Sequence, residues 1–383
     1  MTNQSIIRRT YQFQLRPTKR QIRLLESALA VSCEVYNAAL QERREAWKRC
    51  RKSVTAFDQT KELTEIRAIR MDVAELPVDM VREPIRRVDR AFQAFFRRCK
   101  AGQKPGFPRF RLRDRYDSLA MSSPTFKVEG GTIIVSKMGG FRMRMHREMR
   151  GTPKHCTIKR SGKRWRVSIT CECGPVPERK PVSSAIGIDL GLTHFLTFSD
   201  GQIIDAPKWV KESEAEIARR NRELATKKRG SRNRRKAKEQ LRRAHERVAN
   251  RRLNFCHHLS KRLMENFDLV AFEKLNISSM INGKFDKNIL SVAWGILLWQ
   301  LTYKAANAGK WAVPVNPRGT TKRCSGCETE VPKALWDRVH RCPRCGLVID
   351  RDHNAAINIL SEGLRLGRSR AEPLLQRVPS TQF

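Results

Sequence analysis

Two Cys-x-x-Cys pairs, Cys324 with Cys327 and Cys342 with Cys345, stand fourteen residues apart in a chain of 383. A pair at this spacing sits on a tight turn that aims both sulfurs one way. Two such turns complete a tetrahedral four-sulfur shell for Zn²⁺. Pro343 and Gly346 flank the second pair, as such turns require. A closed four-thiolate shell leaves no position for substrate, so one structural Zn²⁺ is expected. Ribbons of this kind bind DNA, RNA or protein, so this one does not give the function. The chain holds 11 cysteines, an odd count whose remainder is scattered through helical and strand-like segments. That usage fits a reducing cytosol, with the scattered thiols as small buried hydrophobes. Cys171 and Cys173, two apart on a strand pattern, are expected to share a face without bonding.

What surrounds the ribbon is strongly basic. Lys and Arg number 78 against 38 Asp and Glu, a formal net charge of +40. With 40% hydrophobic residues the chain buries real cores, and its length suggests about two or three domains. A charge this large opposes compaction unless a polyanion lies against it, which makes nucleic acid the default partner. On composition alone an RNA-coating protein of ribosomal type is a serious alternative. No apolar run approaches the roughly 20 residues that span a bilayer. The start, MTNQSIIRRTYQFQL, has no signal-peptide stretch. A cytoplasmic protein with no membrane partner is expected.

Along the chain, Tyr11, Phe13 and Leu15 alternate with polar residues as a half-buried strand does. Thr18 and Gln21 form a capping box, and Ile22, Leu25, Leu29, Cys33, Tyr36 and Leu40 make the apolar stripe of a long helix. Helical patterns continue over 58–72 and 80–100. They close on the loop KAGQKPGFPRFRLR, where Phe107 and Phe110 alternate with Arg109 and Arg111. That arrangement suits a nucleic-acid backbone or a base stack; two aromatics anchoring a proline-bent loop is the even alternative. From 122 to 173 the period becomes two, with hairpins at Gly130-Gly131 and Ser161-Gly162. A small β-barrel is expected there, completed by the N-terminal strand. Beyond Pro175, Pro177 and Pro181 come the strands SAIGIDLG and THFLTFSDG, then a basic helical hairpin. Its breaker KKRGSRNRRKAK contains Lys227, Lys228, Arg229, Arg234 and Arg235 and suits phosphates rather than bases. The strand DLVAFE, an amphipathic helix over about 292–308 and the strand-like VPVNP lead to the cysteines.

Three acids lie where apolar elements should carry something else. Asp189 interrupts a buried strand, Glu273 ends LVAFE, and Asp352 opens the helix that follows the ribbon. Each has a bland account, a turn for Asp189 and an N-cap for Asp352. Carboxylates converging from separate elements suit Mg²⁺ instead, a hard cation that keeps most of its waters and binds phosphate. Two such ions roughly 4 Å apart activate water and stabilise a leaving 3′ oxygen. Sequence alone does not show that the three meet.

In order, GIDLG, AFEKLNI, CSGC, CPRCG and DRDHNAAINIL resemble the split nuclease of the TnpB family. These are transposon-encoded RNA-guided DNA endonucleases, also described as the OrfB transposase, and relatives of the miniature type V CRISPR effectors. The resemblance runs over nearly the whole chain up to about residue 365. It implies a multidomain α+β protein: an RNase H-like (RuvC) α/β nuclease split by a zinc ribbon, preceded by a wedge β-barrel with an inserted helical recognition domain. The implied segments are 1–15, the first wedge strand; 16–112, the helical insert; and 113–182, the wedge barrel. They continue with 183–315, the nuclease; 316–349, the ribbon; 350–365, the third nuclease motif; and 366–383, a flexible tail.

By the same resemblance Asp189, Glu273 and Asp352 are the catalytic acids and hold two Mg²⁺. Asp350 is the competitor for the last role. The implied partners are a guide RNA from the transposon end and double-stranded target DNA, bound by a monomeric protein in a prokaryotic cytosol. By analogy with other guided nucleases, RNA pairing chooses the target and the protein reads a short flanking motif. Candidates for that reading are Arg82, with Phe57 and Thr60 behind it. Val78, Asp79, Arg82 and Glu83 depart from the small polar or Gln residues that many members carry there, so the motif does not transfer. Arg82 suits a guanine edge, with an ion pair to Glu83 or Asp79 as the alternative. The rivals to cleavage are a guided repressor, an RNA-independent resolvase or transposase, and an RNA-coating protein.

Overall fold

The first strand, β1 (Ile6–Leu15), buries Tyr11, Phe13 and Leu15 on one side and leaves its polar residues on the other. It belongs to the first of two units, Met1–Pro175 and Val176–Phe383, in a computed structural model that describes residues 6–162, 164–191, 194–275, 289–334 and 337–369. Thr18 then starts α1 (Lys19–Cys50). Its hydroxyl accepts from the Gln21 amide while the Gln21 side chain accepts from the Thr18 amide, which satisfies two end donors reciprocally. Thr55 and Asp58 repeat the device on α2 (Ala56–Ile69), which is followed by the short α3 (Met71–Ala74) and by α4 (Val78–Lys100). These helices bury Leu25, Leu29, Leu40, Leu63, Met80 and Ile85 in one core with the sheet.

The sheet takes β2 (Ser118–Ser122), β3 (Phe126–Glu129), β4 (Thr132–Val135), β5 (Gly139–Arg144), β6 (Thr152–Ser161) and β7 (Arg164–Pro175). Its order is β2-β6-β7-β1-β5-β4-β3, so β1 is central and its flanks are made after the helices. Both expected hairpins form, β3–β4 across Gly130-Gly131 and β6–β7 across Ser161-Gly162. The expected closed barrel is corrected to a half-barrel, because the ladder stops at β2 on one side and β3 on the other. Within it β1 pairs with β7 along its length but with β5 only at Gln14 and Leu15. Cys171 is buried; the partly exposed Cys173 thiol donates to the Arg150 carbonyl, and neither cysteine is bonded.

In the second unit the expected border at 182 moves back to 175. The Lys180 amide donates to the Gly309 carbonyl and the Trp311 indole donates to the Lys180 carbonyl, so this strap packs with the later residues. A five-stranded sheet follows: β8 (Ala185–Asp189), β9 (Leu196–Phe198), β10 (Ile203–Ile204), β11 (Leu269–Glu273) and β12 (Trp311–Val315). The order is β10-β9-β8-β11-β12, with β8, β11 and β12 parallel and β9 antiparallel to β8. Between the strands run α5 (Trp209–Ala225), α6 (Arg232–Asn266) and α7 (Ile289–Ala308). The expected amphipathic stripe on α7 is replaced by burial on most sides, through Trp294, Ile296, Leu297, Leu298 and Leu301, because α7 packs between α6 and β12.

Last come the ribbon strands β13 (Val339–Arg341) and β14 (Val348–Asp350), and α8 (Arg351–Ser369). Helix α8 lies directly on β8 and β11. A Cβ on Gly187 would fall 2.2 Å from the Ala356 carbonyl oxygen, and one on Gly363 would fall 2.3 Å from the Ala271 Cβ. Only glycine permits that approach. The helix runs on to Ser369, past the expected start of the tail at 366; residues 370–383 lie outside the described ones. Among the described residues no helix is long and apolar enough to cross a membrane.

Candidate active site and metal centre

Asp189 is the last residue of β8 and Glu273 the last of β11. Parallel pairing of Ile188 with Phe272 therefore sets the two acids side by side at the carboxyl ends of neighbouring strands, where open α/β sheets take their ligands. The third acid, Asp352, comes from the first turn of α8, which the glycine-gapped packing lays over the same two strands. Asp189 and Asp352 are each only 8% exposed. Burial first, and then the negative charges of Glu273 and Asp352, push Asp189 up to about 8. Burial also raises Glu273, opposed by the Thr320 hydroxyl, which donates to Glu273 Oε1 at 2.5 Å. Arg351 and Arg338 reach Asp352 at 3.7 and 4.0 Å.

Two buried carboxylates and the half-buried Glu273, whose charges and burial raise Asp189, form an oxygen-only donor set, the chemistry that suits Mg²⁺. The structure also separates the two acids that compete at the start of α8. Asp350 Oδ1 accepts from the amides of Asp352 and His353, so Asp350 is the cap of the helix. The Asp352 carboxylate is not used in the cap, and its charge reaches Asp189.

Around the cysteines, Cys324 Sγ lies 3.6 Å from Cys345 Sγ and Cys327 Sγ lies 3.5 Å from Cys342 Sγ, with all four sulfurs within 4.8 Å of one another. A tetrahedron of about 2.3 Å Zn–S bonds has edges of about 3.8 Å, so the four sulfurs fit Zn²⁺. Both knuckles end on a left-handed residue, Gly346 at φ 71° and, less usually, Glu328 at φ 61°.

Sequence reasoning missed the groups that join this ribbon to the acids. Asn354 accepts from the Ser325 amide and donates to the Arg323 carbonyl, and Asn358 donates to the carbonyls of Thr320 and Arg323. Their one signal was a pair of asparagines four apart on the helix that follows the second cysteine pair.

The nucleic-acid candidates fall into two groups. Phe57, Thr60, Arg82, Phe107, Arg109, Phe110 and Arg111 belong to the first unit and the carboxylates to the second. Phe57 is 68% exposed with the Lys61 ammonium over its ring, whereas the Thr60 hydroxyl is spent on the Ala56 carbonyl. Arg82 is exposed. The ion pairs weighed for it do not form, because Glu83 takes Arg87 and Arg90 and Asp79 accepts from Ser122 and Thr125. Phe107 packs edge-on against Phe92 and Phe95, so it anchors the loop. Arg44 lies over the rings of both Phe107 and Phe110. The backbones at Arg109 and Arg111 are tied to Tyr36 and Asn37, with the Arg111 guanidinium over the Tyr36 ring.

The second group sits at the bend between α5 and α6, where Lys227, Lys228, Arg229 and Arg235 are exposed. Arg234 turns inward instead and donates to the carbonyls of Leu224 and Lys227, holding the bend together.

The chain is similar to known proteins over most of its length. Residues 168–283 match the family model "Probable transposase" (OrfB of IS605), residues 294–359 match "Cas12f1-like, TNB domain", and residues 1–52 match "Helix-turn-helix domain" of the same OrfB. Within that last segment the described residues form β1 and the single helix α1, not a helix pair. A Streptomyces pristinaespiralis protein named "Putative RNA-guided DNA endonuclease" is 31% identical over 94% of this chain and 90% of its own. InsQ of Escherichia coli K12, given the same description, is 26% identical over 92% of each chain. Among solved structures, the Cas12f1–sgRNA–target DNA complex matches with a TM-score of 0.58 at 15% identity, covering 89% of this chain and 83% of that one.

Proposed function

This chain belongs to the TnpB (OrfB) family, and from that premise we propose that it is an RNA-guided, Mg²⁺-dependent endonuclease of double-stranded DNA. The observation that carries the reading is the meeting of Asp189, Glu273 and Asp352 at one end of the β8–β11 pair. The strand order β10-β9-β8-β11-β12 with this polarity supports an RNase H-like nuclease of RuvC type, interrupted by the cysteine ribbon. The half-barrel with its four inserted helices supports the wedge and recognition parts. The guide RNA would come from the transposon end, and the protein would act as a monomer within a ribonucleoprotein in a prokaryotic cytosol.

When bound, Mg²⁺ supplies the charge that acidifies an attacking water and offsets the charge of the leaving 3′ oxygen. The chain's own residues set up that chemistry. Asp189 and Glu273 present oxygens from adjacent strand ends whose spacing the sheet fixes. Asp352 closes the set from above, held by a helix that Asp350 caps. Burial keeps bulk water away, which strengthens every interaction with a cation placed there. The four cysteine sulfurs would hold Zn²⁺ apart from this site, as a structural ion.

Exposed cations at the α5–α6 bend and the Arg-rich loops would contact phosphates without reading sequence, leaving the choice of target to base pairing. Asp189→Ala is expected to keep guide-RNA and target-DNA binding and to lose plasmid cleavage. Cleavage by that variant at the wild-type rate would overturn the assignment. A search for junction cutting by RNase-treated protein separates this reading from an RNA-independent resolvase.

A further inference from the structure

We propose that Thr320 is a positioning residue for Glu273, and that the cysteine ribbon thereby sets the geometry of the carboxylate centre as well as folding its own loop. The inference rests on the nuclease reading above. Thr320 is buried, and its hydroxyl lies 2.5 Å from Glu273 Oε1, within the range of a charge-assisted O–H···O⁻ bond. The hydroxyl is also 3.0 Å from the Pro317 carbonyl, the longer of the two contacts.

The threonine is held on both sides. Its carbonyl accepts from Asn358 Nδ2 at 2.8 Å, and the same amide reaches the Arg323 carbonyl at 2.7 Å. One turn earlier, fully buried Asn354 grips Arg323 and Ser325, the residues on either side of Cys324. Residues four apart stand on one helix face, so α8 grips the first knuckle with two asparagines and presents Asp352 from its first turn. A single strap therefore ties the strand acid Glu273 to the helix acid Asp352, and its far end is the cysteine cluster.

The physical effect is preorganisation. A glutamate has several rotamers, and fixing them costs free energy that must otherwise come from ion binding. With Oε1 held by the hydroxyl, the carboxylate has one orientation before an ion arrives, and its other oxygen is directed. Nothing here makes Thr320 touch the substrate; it acts through Glu273.

The test uses the full-length protein assembled with its guide RNA. Thr320→Val, close in shape but without the hydroxyl, is expected to raise the Mn²⁺ dissociation constant, read by electron paramagnetic resonance, by about tenfold or more. The Mg²⁺ concentration for half-maximal cutting should rise by the same factor, with the cutting rate largely restored at saturating Mg²⁺. Thr320→Ser should behave as wild type. Bound zinc, measured by mass spectrometry, should stay at the wild-type level in both. If the Val variant loses zinc, Thr320→Ala takes its place and must show the same shift in ion affinity. Unchanged Mn²⁺ affinity in the hydroxyl-free variant, or a Ser variant as impaired as Val, overturns the inference. Asp189→Ala in the same assay keeps the two levels apart. Loss of tight Mn²⁺ binding and of cutting there, with no effect at Thr320, refutes the positioning role alone, whereas wild-type cutting by Asp189→Ala refutes the nuclease reading and the inference with it.

Discussion

Replacing Asp189 with Asn is expected to stabilise the Mg²⁺-free protein, because the native site holds that carboxyl at about 8 from its ordinary 3.8. The sign follows from proton counting. In the unfolded chain Asp189 loses its proton as pH rises past about 4, but in the folded chain it keeps it until about 8, so over that window the native state binds more protons and stability falls with rising pH. Each pH unit is worth about 1.4 kcal/mol. Between about pH 5 and about pH 7.5 the wild type should therefore lose about 3 kcal/mol from this one group, a ceiling because water and side-chain relaxation soften the burial. Asparagine keeps an oxygen for the Leu190 amide and removes the charge. For a unit the size of Val176–Phe383, about 3 kcal/mol corresponds to about 6 to 12 °C in Tm. Scanning calorimetry in Mg²⁺-free buffer at the two pH values reads it. The Asn variant should melt higher at the upper pH and show a shallower pH slope. Added Mg²⁺ should raise the wild type and leave the variant nearly unmoved. Equal pH slopes in the two proteins, or a variant no more stable than wild type near pH 7.5, would refute the account of a charge-strained site.

Two surface predictions separate structural from nucleic-acid roles. Arg234→Ala should destabilise the α5–α6 bend by about 1 kcal/mol through its two lost carbonyl contacts, with little change in the salt dependence of DNA binding. Alanines at Lys227, Lys228 and Arg229 should leave thermal stability alone and reduce the slope of log affinity against log salt by about 2 to 3. Phe107→Ala should cost about 1 to 2 kcal/mol on chemical denaturation, because its half-exposed ring packs edge-on against Phe92 and Phe95. Phe110→Ala should affect RNA binding more than unfolding.

The parts that could be read from sequence are those whose signal is local. Thr18 and Gln21 start a helix because two side chains and two amides three residues apart suffice, wherever the helix later packs. Four cysteines at fixed spacing need only each other. Asp189, Glu273 and Asp352 stood out because charge within apolar segments is expensive without a purpose. What stayed hidden depends on distant partners. Asp350 and Asp352 are two acids at one helix start, and only the backbone direction there decides which is a cap and which brings its charge to Asp189. Thr320, Asn354 and Asn358 are ordinary polar residues until the ribbon folds back onto α8. Whether the first sheet closes depends on whether its end strands β2 and β3 find each other, which composition does not record. Phe107 and Arg234 sit in patterns typical of nucleic-acid contact, yet Arg234 turns back to the carbonyls of its own bend and the half-exposed Phe107 ring packs edge-on against Phe92 and Phe95.

The central place of β1 has a consequence for how the protein is made. Thr10 meets Thr170, 160 residues downstream, so at ribosomal speeds of about 5 to 20 residues per second the strand waits roughly 8 to 32 seconds for its main partner. During that interval the helices of the insert can form from contacts near in sequence, while a ten-residue strand stands with both edges bare. Bare edges are templates for pairing with another chain. Arg8, Arg9 and the polar residues between Tyr11, Phe13 and Leu15 give the nascent strand a charged, solvated face for that wait. The last strand of the sheet to be made, β7, then pairs along the first.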